Sequence, residues 1–124
     1  MLARILAFLI FISPIQAIAG NVELLMFEED GCYWCGIWNS QVSGIYPKTQ
    51  EGRTAPLHRI DIHSAVPAGI KLKSRPFYTP TFVLVKNGSE IGRIEGYPGE
   101  DFFWGLLEQM LKPLPEYKTA KDAS

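Results

Sequence analysis

The dipeptide Asn87-Gly88 constrains the fold of this chain most, because it separates two stretches that both have the pattern of β-strands. The residues before it, 81–85 (TFVLV), are β-branched, aromatic or aliphatic, and those after it, 90–95 (EIGRIE), alternate between polar and apolar. A two-residue Asn-Gly loop adopts the tight turn that joins neighbouring antiparallel strands. The sequence therefore predicts a β-hairpin in the second half of the chain.

The first half predicts a strand, a helix and a second strand. Residues 22–27 (VELLMF) are mostly apolar, which is typical of a strand buried on both faces, and residues 57–62 (LHRIDI) alternate. Between them, apolar residues recur at helical spacing until Pro47, namely Trp38, Val42, Ile45 and Tyr46. A strand–helix–strand unit pairs its strands in parallel through a right-handed crossover. Residues 48–56 have the composition of a loop, and 64–75 fit either a short helix or a loop.

The C-terminal part predicts one amphipathic helix and a tail. Residues 100–111 (EDFFWGLLEQML) carry apolar side chains at helical spacing, and Pro113 and Pro115 end the pattern. The polar residues 116–124 are expected to form a flexible tail. The elements together predict an α/β fold, a mixed four-stranded sheet flanked by helices, in one domain over residues 20–115.

Residues 1–19 have the pattern of a secretory signal peptide. Arg4 precedes the apolar run 5–12, Pro14 interrupts it, and Ala17 and Ala19 are small residues of the kind that a signal peptidase reads. The run is shorter than the roughly 20 residues that span a bilayer. We therefore expect cleavage after Ala19 and a mature domain outside the cytoplasm.

The mature chain would carry a small negative charge and a single pair of cysteines. One of the 12 basic residues, Arg4, lies in the first 19 positions, which leaves 11 against 13 acidic residues and a formal charge of −2. That balance argues against a nucleic-acid partner. A bridge between Cys32 and Cys35 closes a very small loop and removes little entropy from the unfolded chain. A purely structural disulfide is therefore disfavoured.

Cys32 and Cys35 fall at the junction of the first strand and the predicted helix. Unpaired backbone N–H groups at a helix N-terminus stabilise an anion, and the thiolate is the reactive form of cysteine. Cys35 follows one turn later on the same face, so the pair is suited to thiol–disulfide exchange, with Cys32 attacking a client disulfide and Cys35 releasing the client. A zinc or copper site that uses both cysteines with His58 and His63 is the alternative, although the 22 residues between Cys35 and His58 exceed the usual spacing.

In these motifs the chain resembles the thioredoxin superfamily over residues 21–112. The matching features are Cys32-Tyr33-Trp34-Cys35 at the start of a helix, Thr79-Pro80 before the strand 81–85, and the hairpin with its terminal helix. The resemblance implies a compact thioredoxin fold, a cis peptide bond at Pro80 beside a redox-active Cys32–Cys35 disulfide, and no other cofactor. It also implies client binding by Tyr33, Trp34, Thr79 and Pro80, with the Thr79 backbone pairing with a client strand.

Within that superfamily, the size, the signal peptide and the Cys-Tyr-Trp-Cys and Tyr-Thr-Pro-Thr stretches are most similar to the small periplasmic thioredoxins of sulfur-oxidation systems, the SoxS type. This resemblance implies a periplasmic monomer that receives electrons from a membrane thiol transporter of the CcdA or DsbD kind. It implies clients among the sulfur-oxidation proteins, such as the carrier complex; reduction of haem-binding cysteines in cytochrome c maturation is the alternative pathway. Met26 departs from the pattern, since thioredoxins often carry a buried acid there that helps to deprotonate the second cysteine.

The residues around Cys32 bear on the direction of exchange. Glu28, Glu29 and Asp30 precede it, and negative charge disfavours a thiolate. A strong oxidant instead stabilises its thiolate. The sequence therefore favours a reductase over an oxidant.

Overall fold

The computed structural model describes residues 21–122, whose centre is one four-stranded sheet. The strands are β1 (Val22–Glu28), β2 (Leu57–Asp61), β3 (Thr81–Lys86) and β4 (Ser89–Glu95), in the spatial order β2-β1-β3-β4. β1 pairs with β2 in parallel, and with β3 in antiparallel orientation. The hairpin of β3 and β4 turns at Asn87 and Gly88, both of which have positive φ. The predicted mixed sheet is confirmed.

The helical segments are α1 (Tyr33–Trp38), α2 (Gln50–Thr54), α3 (Glu100–Leu111) and α4 (Pro115–Asp122). A π-helical turn (Asn39–Ser43) continues α1, and a 3-10 turn (Tyr46–Lys48) follows. The wider π turn explains why the predicted apolar spacing fails at one position. Trp38, Val42 and Tyr46 are buried four residues apart, whereas Ile45 is half exposed.

Two predictions are wrong, one for residues 48–56 and one for the segment that follows residue 115. Residues 48–56 were expected to be loop, but they contain α2, whose N-cap Thr49 accepts a hydrogen bond from the Gly52 amide. The flexible tail expected from residue 116 is instead helix α4 up to Asp122. Its Tyr117 carbonyl accepts a hydrogen bond from Gln50 on α2, and Glu116 pairs with Lys86 at 3.0 Å. Contacts with distant parts of the chain therefore hold a segment whose composition alone suggests disorder.

Alternation along the strands divides the core into two layers. Leu24, Met26, Phe82 and Leu84 face one side, where they pack with Trp38 and the buried residues of α3. The side chains that face the other way form the second layer, Leu25, Phe27, Ile60, Val83 and Val85. The connector from β2 to β3 covers this layer through Ile62, Ile70 and Leu72, and within residues 21–122 none of the residues packed in it comes from a helix. The segment 64–75, left open by the sequence, is therefore a loop that serves as part of the core.

The predicted signal peptide, residues 1–19, lies outside the described residues. Within residues 21–122, no helix is both long enough and apolar enough to cross a membrane.

Candidate active site

The segments that carry the predicted site residues meet at one edge of the sheet. Phe27 pairs with Thr81 in the antiparallel ladder, so the chain leaving β1 runs beside the chain that enters β3. Glu28 pairs with Asp61, which brings the end of β2 to the same edge. Gly96, after β4, donates its backbone N–H to the Pro80 carbonyl over 2.8 Å. Four chain segments therefore meet around the turn that contains Cys32: those that leave β1, β2 and β4 and the one that enters β3.

Cys32 and Cys35 are joined by a disulfide bond, with their Cα atoms 5.2 Å apart. Cys32 is the N-cap of α1, and its Sγ accepts a hydrogen bond of 3.1 Å from the Cys35 amide. Cys32 is partly exposed, whereas only 4% of the Cys35 surface is exposed. The two cysteines therefore differ in access: Cys32 can be reached from solvent, whereas Cys35 is enclosed by the protein.

The two residues between the cysteines point outward. Tyr33 is 70% exposed and Trp34 is 54% exposed, and their rings meet edge to face with centroids 5.1 Å apart. Large exposed aromatic side chains are costly in water unless they contact a partner. Their position at the reactive turn suits them to contact a client.

Thr79 and Pro80 lie across the edge from the cysteines, and the peptide bond between them is cis, as the resemblance implied. Thr81, which is fully buried, donates its hydroxyl to the Tyr78 carbonyl over 2.6 Å and so fixes this turn. Thr79 itself is half-buried and Pro80 is buried.

The structure adds two residues that the sequence reading missed, Phe77 and Tyr78. They are 88% and 62% exposed, although Pro76 before them is buried. Arg75 holds the start of this segment by donating to the Ile62 and Ser64 carbonyls. Two consecutive aromatics in a polar loop, directly before Thr79-Pro80, were the signal in the sequence that could have identified them.

Two of the three acidic side chains before Cys32 have hydrogen-bond partners. The Glu28 carboxylate accepts a hydrogen bond of 2.7 Å from Arg59. The Glu29 carboxylate contacts Thr79 and His63. Asp30 is exposed. The negative charge that the sequence places at this turn is therefore partly offset by the Arg59 guanidinium.

Met26 occupies the place of the family's buried acid and is itself fully buried. Arg59, its partner across the parallel ladder, reaches toward it, with its Nη1 atom 3.6 Å from the Met26 sulfur. The same guanidinium lies over the ring of Trp38, 5.6 Å from the ring centroid. A cation thus stands beside Met26, at the position where the resemblance to thioredoxins implied a buried acid.

The alternative of a metal site finds no support in this geometry. No group of three or more His, Cys, Asp or Glu side chains within residues 21–122 is arranged to hold a metal ion. His58 lies beside Leu25 in the ladder and contacts Glu23 at 3.6 Å, while His63 contacts Glu29. The two histidines therefore bind to different carboxylates instead of converging on the cysteines.

Comparison with solved structures gives a match to the crystal structure of the periplasmic thioredoxin SoxS from Paracoccus pantotrophus in its reduced form. The match has a TM-score of 0.72 and 45% sequence identity, and it covers 73% of this chain and 96% of that one. No protein-family model and no curated protein matches the chain.

Proposed function

The chain belongs to the thioredoxin superfamily, in the SoxS type, and is a thiol–disulfide oxidoreductase; from this premise we propose that it works in the periplasm as a reductase that keeps client cysteines reduced. The observation that carries the exchange chemistry is the unequal exposure of the two cysteines, a partly exposed Cys32 and a buried Cys35. The acids that precede Cys32 favour the reducing direction, because negative charge disfavours a thiolate.

The proposed reaction transfers two electrons from the protein to the client. In the reduced protein, the Cys32 thiolate attacks one sulfur of a client disulfide and forms a mixed disulfide, and the first client cysteine leaves as a thiolate that takes up a proton. Cys35, as a thiolate, then attacks the Cys32 sulfur. The Cys32–Cys35 disulfide forms, and the second client cysteine leaves reduced.

A reductase in an oxidising compartment has to be reduced again after each cycle. We propose that a membrane thiol transporter of the CcdA or DsbD kind supplies the two electrons by exchange with the Cys32–Cys35 disulfide. The client that we propose is a protein of sulfur oxidation, such as the carrier complex, because the relative named above is a periplasmic thioredoxin SoxS.

The client-binding surface that we propose is an aromatic rim around the disulfide. It is formed by exposed side chains on both sides of the reactive turn, Tyr33, Trp34, Phe77 and Tyr78. Thr79 and Pro80 directly follow Phe77 and Tyr78 in sequence, and Thr79 supplies backbone groups for an extended client segment.

Client trapping tests this proposal directly. A Cys35→Ser variant cannot release the client from the mixed disulfide. We therefore expect it to accumulate client proteins that are disulfide-linked to Cys32 and are released by dithiothreitol. The matched control, Cys32→Ser, should capture none of them and should not reduce insulin. Equal capture by both variants would remove Cys32 from the role of nucleophile, and adducts with apocytochromes c in place of sulfur-oxidation proteins would change the proposed client.

A further inference from the structure

Glu29 contacts three of the chain positions that meet beside the reactive turn, namely Cys32, His63 and Thr79. Its main-chain carbonyl accepts a hydrogen bond of 3.3 Å from the Cys32 amide. Its Oε1 atom accepts one of 3.0 Å from the Thr79 hydroxyl, and its Oε2 atom lies 2.8 Å from His63 Nε2. The two side-chain contacts reach positions that lie 34 and 50 residues from Glu29 along the chain.

The direction of these bonds determines how Thr79 is held. A carboxylate can only accept hydrogen bonds, so the Thr79 hydroxyl must be the donor. Hydrogen bonds to an ionised acceptor are shorter and stronger than those between neutral groups. With one oxygen on Thr79 and the other on His63, the carboxylate is held from two sides.

Thr79 ends the segment that carries the exposed aromatics Phe77 and Tyr78. Arg75 fixes the other end through the Ile62 and Ser64 carbonyls. Of the two anchors, the one at Glu29 lies next to the reactive turn, because the Glu29 backbone is itself part of that turn. A shift of Thr79 away from Glu29 would therefore move the aromatic segment relative to Cys32.

We propose that Glu29 is a positioning residue for protein clients: it sets the segment 77–79 against the Cys32 turn so that an extended client presents its disulfide to the sulfur. The inference rests on the proposed function. It also assigns a substrate preference to the site, since a polypeptide disulfide contacts both the aromatic segment and Cys32, whereas a small disulfide such as glutathione disulfide needs Cys32 alone.

The test compares the two kinds of disulfide in single-turnover oxidation of the reduced protein, quenched with a thiol-alkylating reagent. For Glu29→Ala we expect the half-saturating concentration of insulin to rise about five- to tenfold with a limiting rate within about twofold, the effect of losing a typical intramolecular hydrogen bond. The rise should be several times larger for insulin than for glutathione disulfide. Glu29→Gln keeps an acceptor oxygen and should recover most of the loss.

Two further variants keep the result interpretable. Thr79→Val removes the donor and should reproduce the Glu29→Ala effect, and the two changes combined should add little to either alone. Glu108→Gln removes another exposed carboxylate, which is paired with Lys112 on α3, and should not alter insulin binding. Melting curves of all variants identify any that fail to fold; if Glu29→Ala is one of them, Thr79→Val carries the comparison.

Three results would overturn the inference: an unchanged half-saturating insulin concentration in Glu29→Ala, an equal rise for both disulfides, or the same rise in Glu108→Gln. In each of these cases the Cys32-dependent reduction would still stand. Activity that survives in Cys32→Ser would instead overturn the proposed function itself.

Discussion

The ion pair between Glu90 and Arg93 gives the most quantitative prediction for stability. Only 3% of the Glu90 side chain and 15% of the Arg93 side chain are exposed. Arg93 donates to both oxygens of the carboxylate, over 2.8 Å and 2.7 Å, and the Lys73 amide donates to one of them over 3.0 Å. Arg93 also donates to the Ser74 carbonyl. The pair therefore fastens β4 to the loop that leads to the aromatic segment.

Glu90→Gln removes the negative charge and leaves Arg93 mostly buried. Breaking a buried ion pair by removing one partner costs about 3–5 kcal/mol. The glutamine keeps one acceptor oxygen and Glu95 lies 3.6 Å from Arg93, so we expect a smaller loss of stability, about 2–3 kcal/mol at pH 7. For a domain of this size, that loss lowers the melting temperature by roughly 10–20 °C.

The contribution of the Glu90–Arg93 pair to stability should depend on pH. Hydrogen bonds from Arg93, more than any other contact, hold the pKa of the Glu90 carboxyl below its usual value. A carboxyl with a lowered pKa in the folded state stabilises the protein above the pKa of the unfolded chain, about 4.3. That contribution disappears as the pH falls through the lower, folded-state pKa. The difference between wild type and Glu90→Gln should therefore be full at pH 7 and smaller at pH 2.

Urea unfolding at the two pH values measures this difference, with Glu108→Gln as the exposed control. The reasoning would be refuted by a Glu90→Gln variant that melts within about 2 °C of wild type at pH 7, since even 1 kcal/mol shifts the midpoint by about 4–8 °C. A difference of equal size at both pH values would also refute it, because it would then reflect packing and not charge.

Three further predictions concern the core, the rim and the redox potential. Tyr46→Phe removes a buried hydroxyl that donates to the Ala55 carbonyl over 2.6 Å, and it should lower the free energy of unfolding in urea by about 1–3 kcal/mol. The control Tyr117→Phe, at a half-buried site, should lower it less. Equal losses of stability in the two variants would contradict the burial argument. Phe77→Ala should raise the half-saturating insulin concentration without lowering the melting temperature, because Phe77 is 88% exposed; a large loss of stability would show that it packs in the fold. The wild type should have a potential nearer the roughly −270 mV of thioredoxin than the roughly −120 mV of a strong oxidant. Combined Glu28→Gln, Glu29→Gln and Asp30→Asn should make it more oxidising in a glutathione titration, and a more reducing variant would contradict the electrostatic argument.

Local patterns in the sequence predicted the sheet and the reactive pair well. The strand 81–86, the Asn87-Gly88 turn and the helix at residues 100–111 each depend on neighbours in sequence, and the predicted bounds agree with the structure to within about one residue. Cys32 and Cys35 followed from their place after the first strand. In such cases the same residues decide both the pattern and the local conformation.

The features that the sequence did not predict depend on contacts between distant segments. Helix α2 requires a glycine at Gly52, because a Cβ there would collide with the Tyr46 carbonyl. Helix α4 is held by Gln50 and Lys86, which lie far from it in sequence. The contact of Glu29 with Thr79 spans 50 residues. No window of local sequence contains both partners of such a contact, so composition alone assigned these segments to loop, tail or solvated surface.

The partners of the three acids refine the argument from charge that favours a reductase. Glu28 is paired with Arg59 at 2.7 Å, so most of its field at Cys32 is offset, and Glu29 shares its carboxylate with Thr79 and His63. Asp30, exposed and two residues from Cys32, keeps its charge in water, where salt screens it within about 10 Å. The electrostatic bias against a thiolate should therefore come mainly from Asp30 and be modest. Because Arg59 both neutralises Glu28 and lies beside Met26, removing Arg59 would restore the Glu28 charge next to the reactive turn and strengthen that bias.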